Sequence, residues 1–342
     1  MTTEQSASTM TFDEIEAAFN RSVLSEEVGR LWTRLNTLRR PKKPDFEEGF
    51  YYDWVLVRPA GVELGFVDDA YHFGEDNFRW GHGELILVQA YFYSPFKDIK
   101  QYRGTLPQGL TFSDTRAQVR EKLAAFEASR RSYRTDTWDV DGYRLTVTYT
   151  PDGNGIDRLL CRVLPVPLAT DGDVRPPALD ALIPHFGTEL SDPVWTSLWP
   201  AADMPERLAE AVEDSELDFL DVYGATLSFS GEGRKSYLRS ITLHRNRDRD
   251  SVGWQGRLPE GLSFEDSPQD LRDKMAVAHD AGSDAPDTGF ALWHRPDYTL
   301  HVLYSNIDNR LIRVRLIAPG VWRSVFDEEM NALLAAAAPE SE

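Results

Sequence analysis

The chain has 342 residues, 41% of them hydrophobic and 11% aromatic, which suits one large domain or two ordinary ones and excludes a wholly disordered chain. Its 37 Lys and Arg stand against 56 Asp and Glu, a net charge of −19, which argues against nucleic acid and anionic membrane as partners, because both need a basic face. A single cysteine, Cys161, excludes an internal disulfide and a thiolate metal cluster; with no basic, apolar leader and no 18-residue apolar run, the expectation is a cytoplasmic protein.

Phe12 to Asn36 sets Leu24, Val28, Leu31 and Leu35 at helical spacing and predicts an N-terminal helical region, residues 1–45, ended by Arg-Arg-Pro-Lys-Lys-Pro. Tyr51 to Val57 and Glu84 to Tyr93 alternate as strands. The next segment, Gly104 to Leu123, lies without a gap over Gly256 to Met275, with nine of twenty positions identical. A second block follows each copy: Trp138, Tyr143, Leu145, Val147 and Tyr149 match Trp293, Tyr298, Leu300, Val302 and Tyr304. Upstream, Gly61, Leu64 and Phe66 match Gly224, Leu227 and Phe229. Three blocks in one order indicate a duplicated module of roughly 100 residues, an ordinary domain size.

Within each copy, Leu-Pro-x-Gly-Leu is a turn in which Pro107 or Pro259 sets φ and Gly109 or Gly261 permits a positive φ. Ser113 or Asp114, and Asp266 or Ser267, are the expected caps of a short helix; Pro268 falls in its first turn, and Val119 with Leu123, or Leu271 with Met275, forms its apolar face. Tyr143 to Tyr149 alternates with period two, as a half-buried strand does, and its counterpart turns Thr299 and His301 outward. Pro151 to Gly155 and Ser305 to Asn309 are turn chemistry leading into Ile156 to Leu164 and Leu311 to Ile317, which close antiparallel hairpins. Tyr237 to Leu243 adds a strand, Ala169 to Pro177 is a polar linker, Pro205 to Asp214 is a helix with Pro near its start, and Val325 to Ala338 is a last helix. The predicted class is α+β: two tandem modules of antiparallel sheet with helices on one face. The boundaries are 46–167 and 215–319 for the modules, 168–214 for a linker and helix, and 320–342 for the C-terminal helix and tail.

Gly-Leu-Thr or Gly-Leu-Ser, a short helix, a Trp, then alternating strands joined by an Asp/Asn turn resembles the SmpA/BamE and beta-lactamase-inhibitor-like module. That resemblance implies a small helix-pair-on-sheet fold used for binding rather than catalysis. Proteins of the BamE type are exported lipoproteins with a signal and a lipidated cysteine; this chain has neither, and it has Leu123-Ala124-Ala125 and Met275-Ala276-Val277 where such modules often have Leu-Gly-x-Pro. Outer-membrane assembly is therefore not implied. The longer phrases Gly61-x-x-Leu-Gly-Phe66, Tyr91-Phe-Tyr-Ser94 and Trp138-Asp-x-Asp-Gly-Tyr143 also resemble uncharacterised bacterial proteins associated with toxin immunity loci.

Catalytic signatures are missing from the sequence. Gly231 to Ser236 has Arg234 where a phosphate loop needs Gly, so a hairpin loop is expected; no G-x-S-x-G occurs, and His72, His82, His185, His244, His279, His294 and His301 form no zinc motif. His294 and His301 read as solvent-facing sheet residues, Cys161 as a small core residue, and Trp138 and Trp293 as core. The aromatics that break the repeat, Tyr91, Phe92, Tyr93 and Phe96, stand against Ile241, Thr242, Leu243 and Arg245, with Tyr71, Phe73, Phe78 and Trp80 flanking them. Aromatics rimmed by carboxylates suit a site for a basic protein, predicted over Asp68, Asp69, Tyr71, Phe73, Glu75, Asp76, Trp80, Tyr91, Tyr93 and Phe96. The alternative is that these aromatics cover the sheet under the N-terminal helix. The expectation is a non-enzymatic protein without metal or cofactor, a cytoplasmic immunity protein occluding a basic bacterial toxin, its oligomeric state open. Two rivals stand beside it: an enzyme that joins Asp68, Asp69 or Asp266 with His82 in a cleft between modules, and a homodimeric scaffold.

Overall fold

A computed structural model describes residues 10–42, 52–74, 83–126, 130–169, 175–201 and 203–322. It divides into two compact units, one comprising Met1–Val166 with Ile307–Asn309 and the other Pro167–Asn306 with Arg310–Glu342. Each unit contains one seven-stranded sheet in which every pairing between neighbouring strands is antiparallel.

In the first unit two helices, α1 (Phe12–Glu16) and α2 (Glu26–Leu35), precede a three-strand meander, β1 (Tyr52–Val57), β2 (Val62–Asp68) and β3 (Leu85–Tyr93), with the short α3 (Asp69–Phe73) between the last two. The Leu-Pro-x-Gly turn and α4 (Arg116–Lys122) follow, then β4 (Arg130–Arg131), β5 (Thr135–Val140), β6 (Tyr143–Tyr149) and β7 (Ile156–Arg162). The order across the sheet is β1-β2-β3-β7-β6-β5-β4. The second unit repeats the plan: α5 (Leu179–Leu182), α6 (Val194–Leu198) and α7 (Met204–Asp214), then β8 (Glu216–Phe219), β9 (Ala225–Glu232) and β10 (Lys235–His244). After the second turn come α8 (Pro268–Met275), β11 (Ala281–Asp284), β12 (Thr288–His294), β13 (Thr299–Ser305) and β14 (Arg310–Ile317), in the order β8-β9-β10-β14-β13-β12-β11.

The duplication extends to the ladders. Phe66 faces Leu87 and Phe229 faces Leu238, and immediately beyond each pair one residue of the third strand, Val88 or Arg239, is bulged out. A second bulge falls at Asp157 in β7 and at Ile312 in β14. A bulge moves every later side chain to the opposite face, so matching bulges keep the two apolar patterns in the same register with their cores.

The most similar segment of the two copies owes its likeness to one polar staple. Asp114 accepts the Thr111 amide at 2.7 Å and the Lys122 ammonium at 2.7 Å, and Lys122 also donates to the Gly109 carbonyl at 2.9 Å. Asp266, Ser263, Lys274 and Gly261 make the same three bonds at 2.8, 2.8 and 3.0 Å. Burial pushes the Asp114 carboxyl up, but the Lys122 ammonium and the Thr111 amide outweigh it and hold the group below its usual range. Because Asp114 is engaged in this way, neither it nor Ser113 caps α4. Thr115 does, with Gln118 reciprocating in a capping box; in the second copy Ser267, one of the two expected caps, pairs with Asp270.

α1, α2 and α4 bury Phe12, Ile15, Val28, Leu31, Trp32, Leu35, Val119 and Leu123 against one face of the first sheet, and α5 to α8 do the same on the second around Trp195, Trp199, Trp293, Leu271 and Met275. The N-terminal region is two helices rather than one stripe. Ser25 caps α2, leaving Leu24 outside it and 81% exposed, and Trp32 takes the remaining buried place. β6 is buried on both faces, not one: Arg144 is held by Asp139 at 2.7 Å, and the Thr137 and Thr146 hydroxyls share a hydrogen bond at 3.1 Å. The expected hairpin at Gly231 to Ser236 is present, turning between β9 and β10. The proposed C-terminal helix lies outside the described residues. No helix among the described residues is long and apolar enough to cross a membrane.

Candidate binding surface

The residues singled out in the sequence fall at two ends of β3. At the first end Asp68 is buried and serves as the cap of α3, accepting the amides of Ala70 at 3.1 Å and Tyr71 at 3.4 Å, and that of Gly83 at 3.0 Å. Asp69 accepts the amides of Ala70 at 2.8 Å and Glu84 at 3.1 Å. Both carboxylates therefore hold the chain around α3. Tyr71 is buried in a small cluster with Val67, Ile86 and Val88 on the sheet face away from α1, α2 and α4, while Phe73 is 43% exposed. Glu75, Asp76, Phe78, Trp80 and His82 lie outside the described residues.

Tyr91 and Tyr93 occupy the other end. The strand positions pairing with Asp68 and Glu63 are Leu85 and Tyr91, six residues apart and so about 20 Å along the strand. The two tyrosines stand half-buried on the same outward face of the sheet, stacked at 6.0 Å between ring centroids, with the Arg158 guanidinium 5.9 Å above the Tyr91 ring. The Tyr93 hydroxyl donates to Glu63 at 2.6 Å, and burial followed by this bond raises its pKa well above that of an ordinary phenol. Phe92, between them, points the opposite way and packs with Phe12 of α1 at 5.9 Å, so for this one aromatic the covered-sheet alternative describes the structure. Phe96, just past β3, is 51% exposed, with the Lys97 ammonium over its ring at 5.2 Å.

The sequence reading missed members of this face. β1 contributes Trp54, 42% exposed and stacked on Tyr52 at 5.7 Å, and β2 contributes Glu63, directly opposite Tyr91. Gly65, opposite Trp54, has no Cβ because that space is filled by the Gln89 side chain from β3. The available signal was the alternation Tyr52-x-Trp54-x-Leu56, which puts large groups on the face opposite Val55 and Val57 of the core.

Other candidates have structural occupations. Trp138 and Trp293 are buried core, as is Cys161, whose thiol burial pushes upward. Asp266 is the staple carboxylate. His294 is exposed, as expected, whereas His301 is half-buried and stacks on Phe290 at 5.1 Å; burial and the neighbouring Arg315 charge lower its pKa to about 4. Among the described residues no group of three or more His, Cys, Asp or Glu is placed to hold a metal ion. No family model, curated protein or solved structure matches the chain.

Proposed function

We propose that this chain is a non-enzymatic protein that binds a basic protein partner and, in its most specific form, a cytoplasmic immunity protein that occludes a bacterial toxin. The observation that carries the reading is the partly exposed edge of the first sheet's outward face, where the stacked Tyr91 and Tyr93, the carboxylate of Glu63 and the exposed Trp54 lie on adjoining strands. Rigid aromatics with a polar tip are the side chains that dominate interface energetics, because they bury much area at small entropic cost. A net charge of −19 favours encounter with a cationic protein and repels acidic competitors. The lone buried cysteine suits a reducing compartment.

The test compares the tagged chain with Tyr91→Ala/Tyr93→Ala as bait in lysate of the host, at low and high salt. The reading expects a basic protein, retained in stoichiometric amount by the native chain and at least tenfold less by the variant, whose purified form associates more slowly as salt rises. Equal retention by a variant with unchanged circular dichroism overturns the assignment of this face. A salt-independent association rate overturns its electrostatic part.

A further inference from the structure

The outward face of the second sheet differs chemically from that of the first. It carries a recess of about 200 Å3 crossed by the row His301, Arg315, Thr242, Thr226, each residue facing the next across a strand pair. Alternation puts these side chains opposite Leu300, Val302, Val314 and Leu243 of the core. Three guanidinium groups line the recess and two of them are already neutralised. Arg313 makes a two-point bond to Asp248 at 2.6 and 2.8 Å, with His244 Nδ1 on the same carboxylate at 2.7 Å, and Arg249 pairs with Glu216 at 3.3 Å.

Arg315 is the exception. Its one hydrogen bond runs from Nη2 to the Ser240 hydroxyl at 2.7 Å, its Nε is buried without a partner, and no carboxylate among the described residues is within ion-pair distance. Burial lowers its pKa, and Glu216 compensates only at longer range. Asp218, opposite Thr226 on β8, continues the row beside Glu216 and Arg249, so the charges around the recess balance as a set; Arg315 is the cation among them that has no ion-pair partner among the described residues. A half-buried guanidinium without an anion is costly, and a planar fork of donors matches an oxyanion better than it matches water.

We propose that this recess binds a small oxyanion, inorganic phosphate or a single carboxylate group, with Arg315 as its charge partner and the hydroxyl of Thr242 as a donor; the Thr226 hydroxyl is taken up by His244 Nε2 at 3.4 Å. The volume admits an anion of several non-hydrogen atoms together with ordered water. His301 reports occupancy. It sits across the ladder from Arg315, its ring held by Phe290, and the charged groups around it are Arg315, Arg313, Arg249 and Glu216, with His244 on the adjoining row. An anion on Arg315 cancels the charge that disfavours the imidazolium, so occupancy raises the proton affinity of His301, and by linkage protonation tightens anion binding by the same factor. This site stands apart from the partner-binding reading, and the failure of either leaves the other intact.

The experiment follows the histidine ring signals of the full chain by proton–carbon NMR while inorganic phosphate, and separately acetate, is added against sodium chloride at matched ionic strength. His301 is assigned from the His301→Gln variant. The proposal expects a saturable shift of the His301 signals with phosphate, acetate or both, a roughly tenfold rise in its proton affinity at saturation, and at least tenfold weaker binding in Arg315→Met. Thr242→Val, expected to weaken binding several-fold, keeps the test open should Arg315→Met fail to fold. Saturation by phosphate alone or by acetate alone assigns the source of the oxyanion. A shift linear in salt and equal in chloride, or an isotherm unchanged in Arg315→Met or in Thr242→Val, overturns the proposal.

Discussion

Asp136 is fully buried, and its carboxylate receives Arg116 Nη2 at 2.6 Å, Arg120 Nε at 2.7 Å and the Tyr149 hydroxyl at 3.2 Å. Burial raises its pKa, but the two arginines more than compensate and the group titrates below the ordinary aspartate range. A folded pKa below the unfolded one adds stability that is complete above about pH 4 and is lost as pH falls through the folded value. Asp136→Asn should therefore cost about 3 kcal/mol at pH 7, toward the low side for a buried pair because both arginines reach solvent, and the deficit should shrink toward pH 3. Urea unfolding of both chains between pH 7 and pH 3 measures it, and a deficit constant with pH would place the cost in packing instead. None of this network shows in the sequence, because Arg116 and Arg120 look like the solvated side of a helix until β5 is placed beneath them. The cap of α4 was misplaced for a related reason. Ser113, Asp114 and Thr115 all carry a capping oxygen, and only the Lys122 contact shows that Asp114 is committed elsewhere.

At the scale of elements the duplicated turns separate two roles of glycine. Gly61 and Gly224 both have φ of 68°, and a Cβ at either would run into backbone, at Lys100 and Gln101 in one case and at Gly253 and Trp254 in the other. Gly109 has φ of 65° with nothing within 4 Å of the Cβ position. Gly61→Ala should then lose about 3 kcal/mol, conformational strain plus collision with backbone that cannot move aside, whereas Gly109→Ala should lose only the strain, about 1 kcal/mol. Denaturant midpoints at constant m-value decide between them, and equal losses would contradict the close approach at Gly61. Elements of this kind were largely legible: alternation located β1, β3, β6, β10 and β13, turn chemistry ahead of an apolar run located β7 and β14, and Leu-Pro-x-Gly located the reversal before α4 and α8. The bulges at Val88 and Asp157 were not, since nothing in Leu85 to Tyr93 marks the point where the inward set passes from Leu85 and Leu87 to Ala90 and Phe92. The helical spacing of Leu24, Val28, Leu31 and Leu35 was real, but periodicity alone does not register that Ser25 starts the helix one residue after Leu24.

Across the whole molecule the two sheets share a skeleton and differ on their outward faces. Ladder register sets Tyr91 against Thr242 and Tyr93 against His244, one residue on from the Ile241 and Leu243 that the sequence set against them, so that Phe92 falls opposite core Leu243. It sets Thr146 against His301 and Leu160 against Arg315, while the core positions beside them match: Leu64 with Leu227, Phe66 with Phe229, Val147 with Val302. Packing constrains the inward set to apolar groups of fitting volume in both sheets, whereas the outward set is buried at some positions, such as Thr146 and Leu160, and half-exposed at others, such as Tyr91 and Arg315, so it is free to differ in chemistry between the copies. The binding face was therefore only partly readable. Tyr91 and Tyr93 are adjacent on one strand and stood out, but Trp54 and Glu63 join them only through strand pairing, and Arg315, Thr242 and His301 come from three strands whose proximity needs the register. The comparison also yields a stability prediction. Leu160, where the second sheet has Arg315, is a buried apolar residue in the same ladder position, so Arg315→Leu exchanges an uncompensated half-buried cation for a group the geometry already accommodates. Replacing a poorly paired buried charge by a hydrophobic residue is commonly neutral or stabilising, so this variant should gain about 1 kcal/mol in phosphate-free buffer, whereas saturating phosphate should raise the melting temperature of the native chain alone. A side chain that costs stability in the free protein and recovers it only with an anion present is what a binding residue does, and a loss of stability in Arg315→Leu without phosphate would instead make Arg315 a structural partner of Ser240.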